Sequence, residues 1–134
     1  MSITVDTNIY VSALNFGSRP ALRLLDMADA RVLTIDISAH IEEELVRVLR
    51  EDFAWDGYRL HFVIERLRKL TNRVTPTESI AIVDDPDDNK IIECALAGNS
   101  EYIVTNDNAL LRIESYAGIQ IVRTADYLRL EPYK

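Results

Sequence analysis

Short apolar runs alternate along the chain with longer segments in which apolar residues return every three or four positions. "ITVD", "RVLTID", "EYIVTND" and "GIQIV" are of the first kind and predict strands, and "AIV" at 81–83 predicts a further short one. "NIYVSAL", "SRPALRLLDMADA", "NALLRIESY" and "TADYLRL" predict helices or helical turns, the second with Ser18 as N-cap and Pro20 in its first turn. "SAHIEEELVRVLRED", opened by Ser38, places Ile41, Leu45, Val48 and Leu49 at helical spacing. "DGYRLHFVIERLRKLTN" puts Leu60, Val63, Leu67 and Leu70 on one face, and "NKIIECALAG" is a helix stopped at Gly98.

Strands alternating with helices predict an α/β fold: a short, mostly parallel sheet of about five strands with helices on both faces. The strand candidates are apolar throughout, as expected of strands covered on both sides. With 134 residues, 48% of them hydrophobic, and no linker or repeat, residues 1–134 read as one domain. Ligands in such folds bind beyond the carboxyl ends of the strands, so the polar residues at those ends matter most.

Those residues are acidic. Asp6 ends "ITVD", Asp107 follows "YIVT" by one residue, Asp88 precedes the helix beginning near Asn89, and Glu44 lies in the second turn of the helix after "LTID". Each has a plain alternative, since Asp6, Asp88 and Asp107 can cap helices and Glu44 can be a solvated helix residue. That alternative weakens when separate strand ends all deliver carboxylates to one edge of one sheet. The run "DDPDDNK" sharpens the point, because like charges crowded at the mouth of a helix repel unless a cation belongs there.

Charge and composition narrow the function. A net charge of −7 argues against a protein that coats nucleic acid, but not against an enzyme that cuts it. No run approaches the ~18 apolar residues of a membrane span, and no signal peptide is evident. The single cysteine, Cys94, reads as a small core residue and suits a reducing cytoplasm.

"ITVDTNIYVSAL", "SAHIEEELVRVL" and "DPDDNKIIECALAGNSEYIVTND" with "ALL" occur in the order and spacing of the PIN domain, a family that nearly the whole chain resembles. More narrowly, the chain is similar to bacterial PIN proteins that act as toxins of toxin–antitoxin pairs. The resemblance implies a metal-dependent ribonuclease acting on single-stranded or looped RNA, with a cognate antitoxin as partner and a homo-oligomer, a dimer, as assembly. It places the acidic site on Asp6, Glu44, Asp88 and Asp107. Thr7 or Asn8 would steady Asp6, Thr105 would contact the site, and Asp85 would be an outer partner. Glu44 is chosen over Glu42 because the family's glutamate directly precedes a leucine, here Leu45, although helical periodicity alone places Glu42 nearer the apolar face. Many relatives carry a further acid two residues after Asp107, where this chain has Ala109.

Carboxylates suit this chemistry. Hard cations such as Mg²⁺ and Mn²⁺ prefer oxygen ligands, and one or two such ions can activate water and stabilise the leaving oxygen of a phosphodiester. No histidine base is then required, and His40 and His61 read as ordinary helix residues. Asp84 and Asp87 read as solvated turn residues. Arg59, Arg66 and Arg73 recur every seven residues and predict a stripe that could track phosphates, or simply solvated charges. The runner-up function is a catalytically silent PIN-like module that binds RNA or a protein. A dehalogenase-type phosphatase is disfavoured because Asn8 stands where a second aspartate belongs.

Overall fold

Ile3, Val5, Ile35, Ile37, Ile103 and Val104 are almost wholly buried, which fixes three short strands at the centre of a sheet covered on both faces. The computed structural model describes residues 1–130. Its strands are β1 (Ser2–Val5), β2 (Thr34–Ile37), β3 (Thr71–Arg73), β4 (Tyr102–Val104), β5 (Ser115–Tyr116) and β6 (Ile119–Val122). They form one sheet of order β3-β2-β1-β4-β6-β5, parallel except for the β5–β6 hairpin.

The helices are α1 (Thr7–Leu14), α2 (Arg19–Asp29), α3 (Ala39–Phe53), α4 (Gly57–Leu70), α5 (Pro86–Gly98), α6 (Asn108–Leu111) and α7 (Thr124–Leu128). From β1 the chain steps outward to β2 and β3, then returns across the sheet to β4. Right-handed crossovers in opposite directions put helices on opposite faces. Accordingly α1 to α4 pack on one another, whereas α5 packs against β1, β2 and β4. The direction of winding reverses between β1 and β4, and this switch point opens a crevice at their carboxyl ends.

The sheet has six strands rather than about five, and the third is not the predicted one. Residues 81–83 form no strand. The Ile82 and Val83 amides instead donate to Asn89 Oδ1 at 3.0 and 3.1 Å, and Asn89 Nδ2 returns a bond to the Val83 carbonyl. The actual β3, Thr-Asn-Arg, follows α4 directly and is mostly exposed, so it carries no hydrophobic signal. "NALLRIESY" is helical only to Leu111, because Glu114 takes φ 65° and the chain turns back through Ala117 and Gly118, both at positive φ, into a hairpin. Helix α5 begins at Pro86, three residues before the predicted start, and the left-handed residue that closes it is Asn99 rather than Gly98.

Gly98 has a different task. Asp36 on β2 is 1% exposed, and its carboxylate accepts from Ser100 Oγ at 2.6 Å and from Asn72 Nδ2 at 3.0 Å. A Cβ on Gly98 would stand 2.5 Å from Asp36 Cγ, so α5 can lie on β2 only where a side chain is missing. Gly98→Ala should therefore cost about 1–3 kcal/mol through overpacking. At ~4 °C per kcal/mol for a chain of this size, the thermal midpoint should fall by roughly 4–12 °C. Gly57→Ala, which meets nothing within 4 Å, should stay within about 0.5 kcal/mol of wild type. Thermal unfolding of the two variants checks both.

Candidate active site

Asp6 is the first residue past β1 and caps α1, accepting from the Ile9 amide at 3.0 Å. β1 and β4 pair in parallel with Val5 opposite Val104, so Thr105 emerges beside Asp6 and donates its hydroxyl hydrogen to Asp6 Oδ2. The same hydroxyl oxygen accepts from the Asp107 amide at 3.0 Å. Asp107 in turn caps α6 through the Ala109 amide at 3.1 Å. The cap reading and the site reading of Asp6 and Asp107 are thus both satisfied geometrically: capping spends one oxygen of each carboxylate.

Helices α3 and α5 bring the rest. A cavity of about 120 Å³ at the switch point is lined by Asp6, Thr7, Asn8, Glu44, Asp88 and Asp107, and also by Asp85 and Asp87. Asp85, not Asp88, is the cap of α5, accepting from the Asp87 amide at 2.9 Å. Asp88 sits in the first turn, turned toward Asp107. Glu44 accepts a hydrogen bond from the Thr7 hydroxyl, whereas Glu42 does not line the cavity. Glu42 instead forms ion pairs with Arg68 at 2.7 Å and Arg73 at 2.6 Å. A roomier cavity of about 290 Å³ lies at the amino ends of β2 and β3, with Thr34, Lys69, Thr71 and Asn72 on its wall and Asp29 as its one acid. It lacks the converging carboxylates that would give it chemistry.

Crowding shows in proton affinity. Burial raises the pKa of Asp6, partly opposed by hydrogen bonds from Thr105 and the Ile9 amide, with Asp107 repelling. Asp88 is pushed up to about 7, first by burial, then by a hydrogen bond with Asp107 and by the charges of Asp107, Asp85 and Asp6. A protonated Asp88 therefore donates to Asp107. Glu44 is also raised, by burial and by a hydrogen bond with Asp87. Asp87 is lowered, because Glu44 donates to it and His40 supports it. Glu42 runs the other way: burial raises it, but the guanidiniums of Arg68 and Arg73 outweigh that and hold it below the usual range.

Three residues depart from the sequence reading: Thr7, expected with Asn8 as a candidate to steady Asp6, gives its hydroxyl to Glu44 instead, and Asp87 and His40 differ as follows. Asp87, expected in solvent, lines the cavity, and His40, expected to be an ordinary helix residue, lies 2.9 Å from Asp87 with its Nε2. Only the spacing of His40 one helical turn before Glu44 could have hinted at this. The arginine stripe is also revised. Arg73 lies off the helix in β3 and is paired with Glu42, Arg59 stacks 3.6 Å over the Trp55 ring, and Arg66 is exposed. The three do not form one helical face. Arg47, 3.8 Å from Glu44 and half exposed, is a cation at the cavity's rim.

Among the described residues, no three His, Cys, Asp or Glu side chains stand arranged to hold a metal ion. The donor set nevertheless suits a hard divalent cation: Asp6, Glu44, Asp88 and Asp107 offer only oxygen, and desolvation favours anything that neutralises them.

The fold is thus an α/β sheet with an acidic pocket at its switch point. The chain belongs to the PIN domain family, whose model matches residues 2–109. A comparison with curated proteins finds no match. Among solved structures, VapBC2 from Rickettsia felis bound to a DNA fragment from its promoter is similar at a TM-score of 0.66 and 17% identity, over 92% of this chain and 98% of that one. VapBC-1 from nontypeable Haemophilus influenzae is similar at 0.63 and 19%, over 93% and 99%. At these identities the likeness is one of fold.

The raised pKa of Asp88 has a consequence for stability. Metal-free, the folded state binds a proton that the unfolded chain, with a value near 3.8, has already released. The stability this brings is full below the unfolded value and is lost as pH rises through about 7. In chelator, wild type should therefore lose thermal stability relative to Asp88→Asn between about pH 4 and pH 7.5. A constant difference in melting temperature across that range would show that Asp88 is not crowded.

Proposed function

We propose that the protein is a metal-dependent endoribonuclease that hydrolyses RNA phosphodiester bonds, and that it serves as the toxin of a toxin–antitoxin pair. The observation that carries the reading is the convergence of Asp6, Glu44, Asp88 and Asp107 on one cavity at the switch point. Membership of the PIN domain family supports the nuclease assignment. That the two solved structures named above are VapBC proteins supports an antitoxin partner.

In this reading Asp6, Asp88, Asp107 and Glu44 hold one or two Mg²⁺ or Mn²⁺ ions. Such a cation, when bound, would supply positive charge for the phosphodiester and make a water easier to deprotonate. Thr105 orients Asp6 and the Asp107 loop together, Thr7 orients Glu44, and Asp85 fixes the first turn of α5 from which Asp88 projects. Asn8, on the cavity wall, is a polar contact for substrate. Arg47 is placed to meet a phosphate entering past Glu44. Among the described residues, no helix is long and apolar enough to cross a membrane; a cytoplasmic location belongs to the toxin reading. A second copy of the chain is the expected partner in the assembly.

Purified protein should cleave RNA only with Mg²⁺ or Mn²⁺ and stop in excess chelator. Asp6→Asn and Asp107→Asn should each reduce cleavage by at least ~100-fold while keeping the fold. Glu44→Gln should be crippling. Glu42→Gln should leave turnover nearly intact but lower stability, because the half-exposed Arg68 and Arg73 lose their anion, by about 1–3 kcal/mol at most. Full activity in chelator overturns the metal-dependent mechanism. Folded, metal-binding protein that never cuts RNA favours the alternative, a catalytically silent PIN-like binding module.

A further inference from the structure

We propose that the outward face of α4 presents Tyr58 and Phe62 as a stacking platform for single-stranded RNA, reached from the acidic pocket over Arg47 and Arg50 of α3. The inference rests on the RNA reading above and assigns that substrate a path. Tyr58 is 91% and Phe62 67% exposed. They stand one turn apart on the same side of α4, and Arg66 follows one turn further on. Neither ring meets another aromatic among the described residues, whereas Phe16 and Phe53 close on each other edge to face at 5.3 Å. Aromatic residues are weaker helix formers than Ala, Glu or Lys, so helix propensity does not call for rings here.

The charges around the rings favour a polyanion. Helix α4 carries Arg59, Arg66, Arg68 and Lys69 against the single acid Glu65, in a chain whose net charge is −7. Arg59 is engaged with the Trp55 ring and Arg68 with Glu42 and Glu65. Arg66 is exposed and forms no ion pair among the described residues. The exposed positions beside the rings, His61, Glu65 and Arg66, are polar. The rings are therefore not the crest of a continuous apolar patch, which a docked peptide helix would need. Separate rings flanked by cations bind bases by their faces and phosphates by their charge.

The packing of α3 on α4 supplies the route. Glu44, Arg47 and Arg50 follow at three-residue intervals on α3, so Arg50 continues away from the pocket the row that Arg47 opens. Arg50 is exposed and likewise forms no ion pair among the described residues. The ion pair of Arg68, in the last turn of α4, with Glu42, in the first turn of α3, makes the two helices antiparallel. The first turns of α4, with Tyr58 and Phe62, thus lie beside the last turns of α3, at the Arg50 end. A strand leaving the pocket past Arg47 meets Arg50 and then the rings.

The test is fluorescence anisotropy of an end-labelled, unstructured RNA of about 12 nucleotides, in excess chelator so that the strand stays intact, with circular dichroism as the fold control. Tyr58→Leu with Phe62→Leu keeps the apolar surface but removes the π faces. It should weaken binding at least ~10-fold and leave the salt dependence as in wild type. Tyr58→Phe with Phe62→Tyr keeps both faces and should bind as wild type does. Arg50→Gln with Arg66→Gln should flatten the slope of log affinity against log salt by about 0.7 for each arginine. The inference is overturned if the leucine pair binds RNA as wild type does, or if the phenylalanine–tyrosine exchange binds as poorly as the leucine pair. A leucine pair that keeps RNA but no longer self-associates in sedimentation overturns it too, since the face is then a protein interface. Wild type that does not bind this RNA also overturns it; if that protein still cuts RNA with Mn²⁺, the RNA reading stands, and if it does not, both fall.

Discussion

A hydroxyl–carboxylate hydrogen bond between positions 99 residues apart, Thr105 to Asp6, joins the two halves of this molecule where they matter. It exists because β1 and β4 are neighbours in the sheet, in a register that sets Val5 against Val104. Each strand ends in a polar residue at the edge where the winding reverses. The crevice there is a topological necessity, since the crossovers on either side diverge to opposite faces. What the sequence adds is the choice of carboxylates to fill it.

Filling a partly buried crevice with acids is destabilising unless each charge is answered, and the structure answers them in two ways. Some oxygens accept from backbone amides at the starts of α1, α5 and α6, an arrangement favoured by the positive ends of those helices. The remainder are left with raised proton affinity, Asp88 beside Asp107 and Glu44 beside Asp87. Capping alone needs one aspartate per helix. Asp87 and Asp88 exceed what the cap Asp85 requires; the positive end of α5 favours them in its first turn, and both line the pocket. Glu42, two residues from Glu44, makes the contrast plain: it is buried too, but two arginines neutralise it and no proton is needed.

Most of the framework was legible because local rules and tertiary structure agree. Apolar runs became central strands, and Ser38 and the strand-end aspartates became caps. The failures mark places where a longer-range contact overrode the local pattern. Ala81-Ile82-Val83 looks like a strand, yet the Asn89 side chain takes its amides before a neighbouring strand can. Thr71-Asn72-Arg73 looks like nothing, yet at the edge of the sheet it needs only the backbone of β2 to be a strand. Periodicity counted Arg73 as helical because it cannot see where α4 stops.

The site was legible residue by residue only where a carboxylate ends a strand, as Asp6 and Asp107 do. Apolar periodicity places Glu42 nearer the core, where it is buried, but does not say which glutamate enters the pocket, because that depends on the company each meets: Thr7 and Asp87 on one side of α3, Arg68 and Arg73 on the other. The contact between His40 and Asp87 spans 47 positions and two elements, and neither residue has a neighbour in sequence that announces it. Such a contact follows from the placement of α5, which Gly98 permits by leaving room for Asp36 at the far end of the helix. The position of the acidic mouth of α5 thus depends on a glycine one helix length away. A packing change at Gly98 should reach Glu44 through the same rigid helix, because a helix closely packed at one end cannot shift there without moving the other.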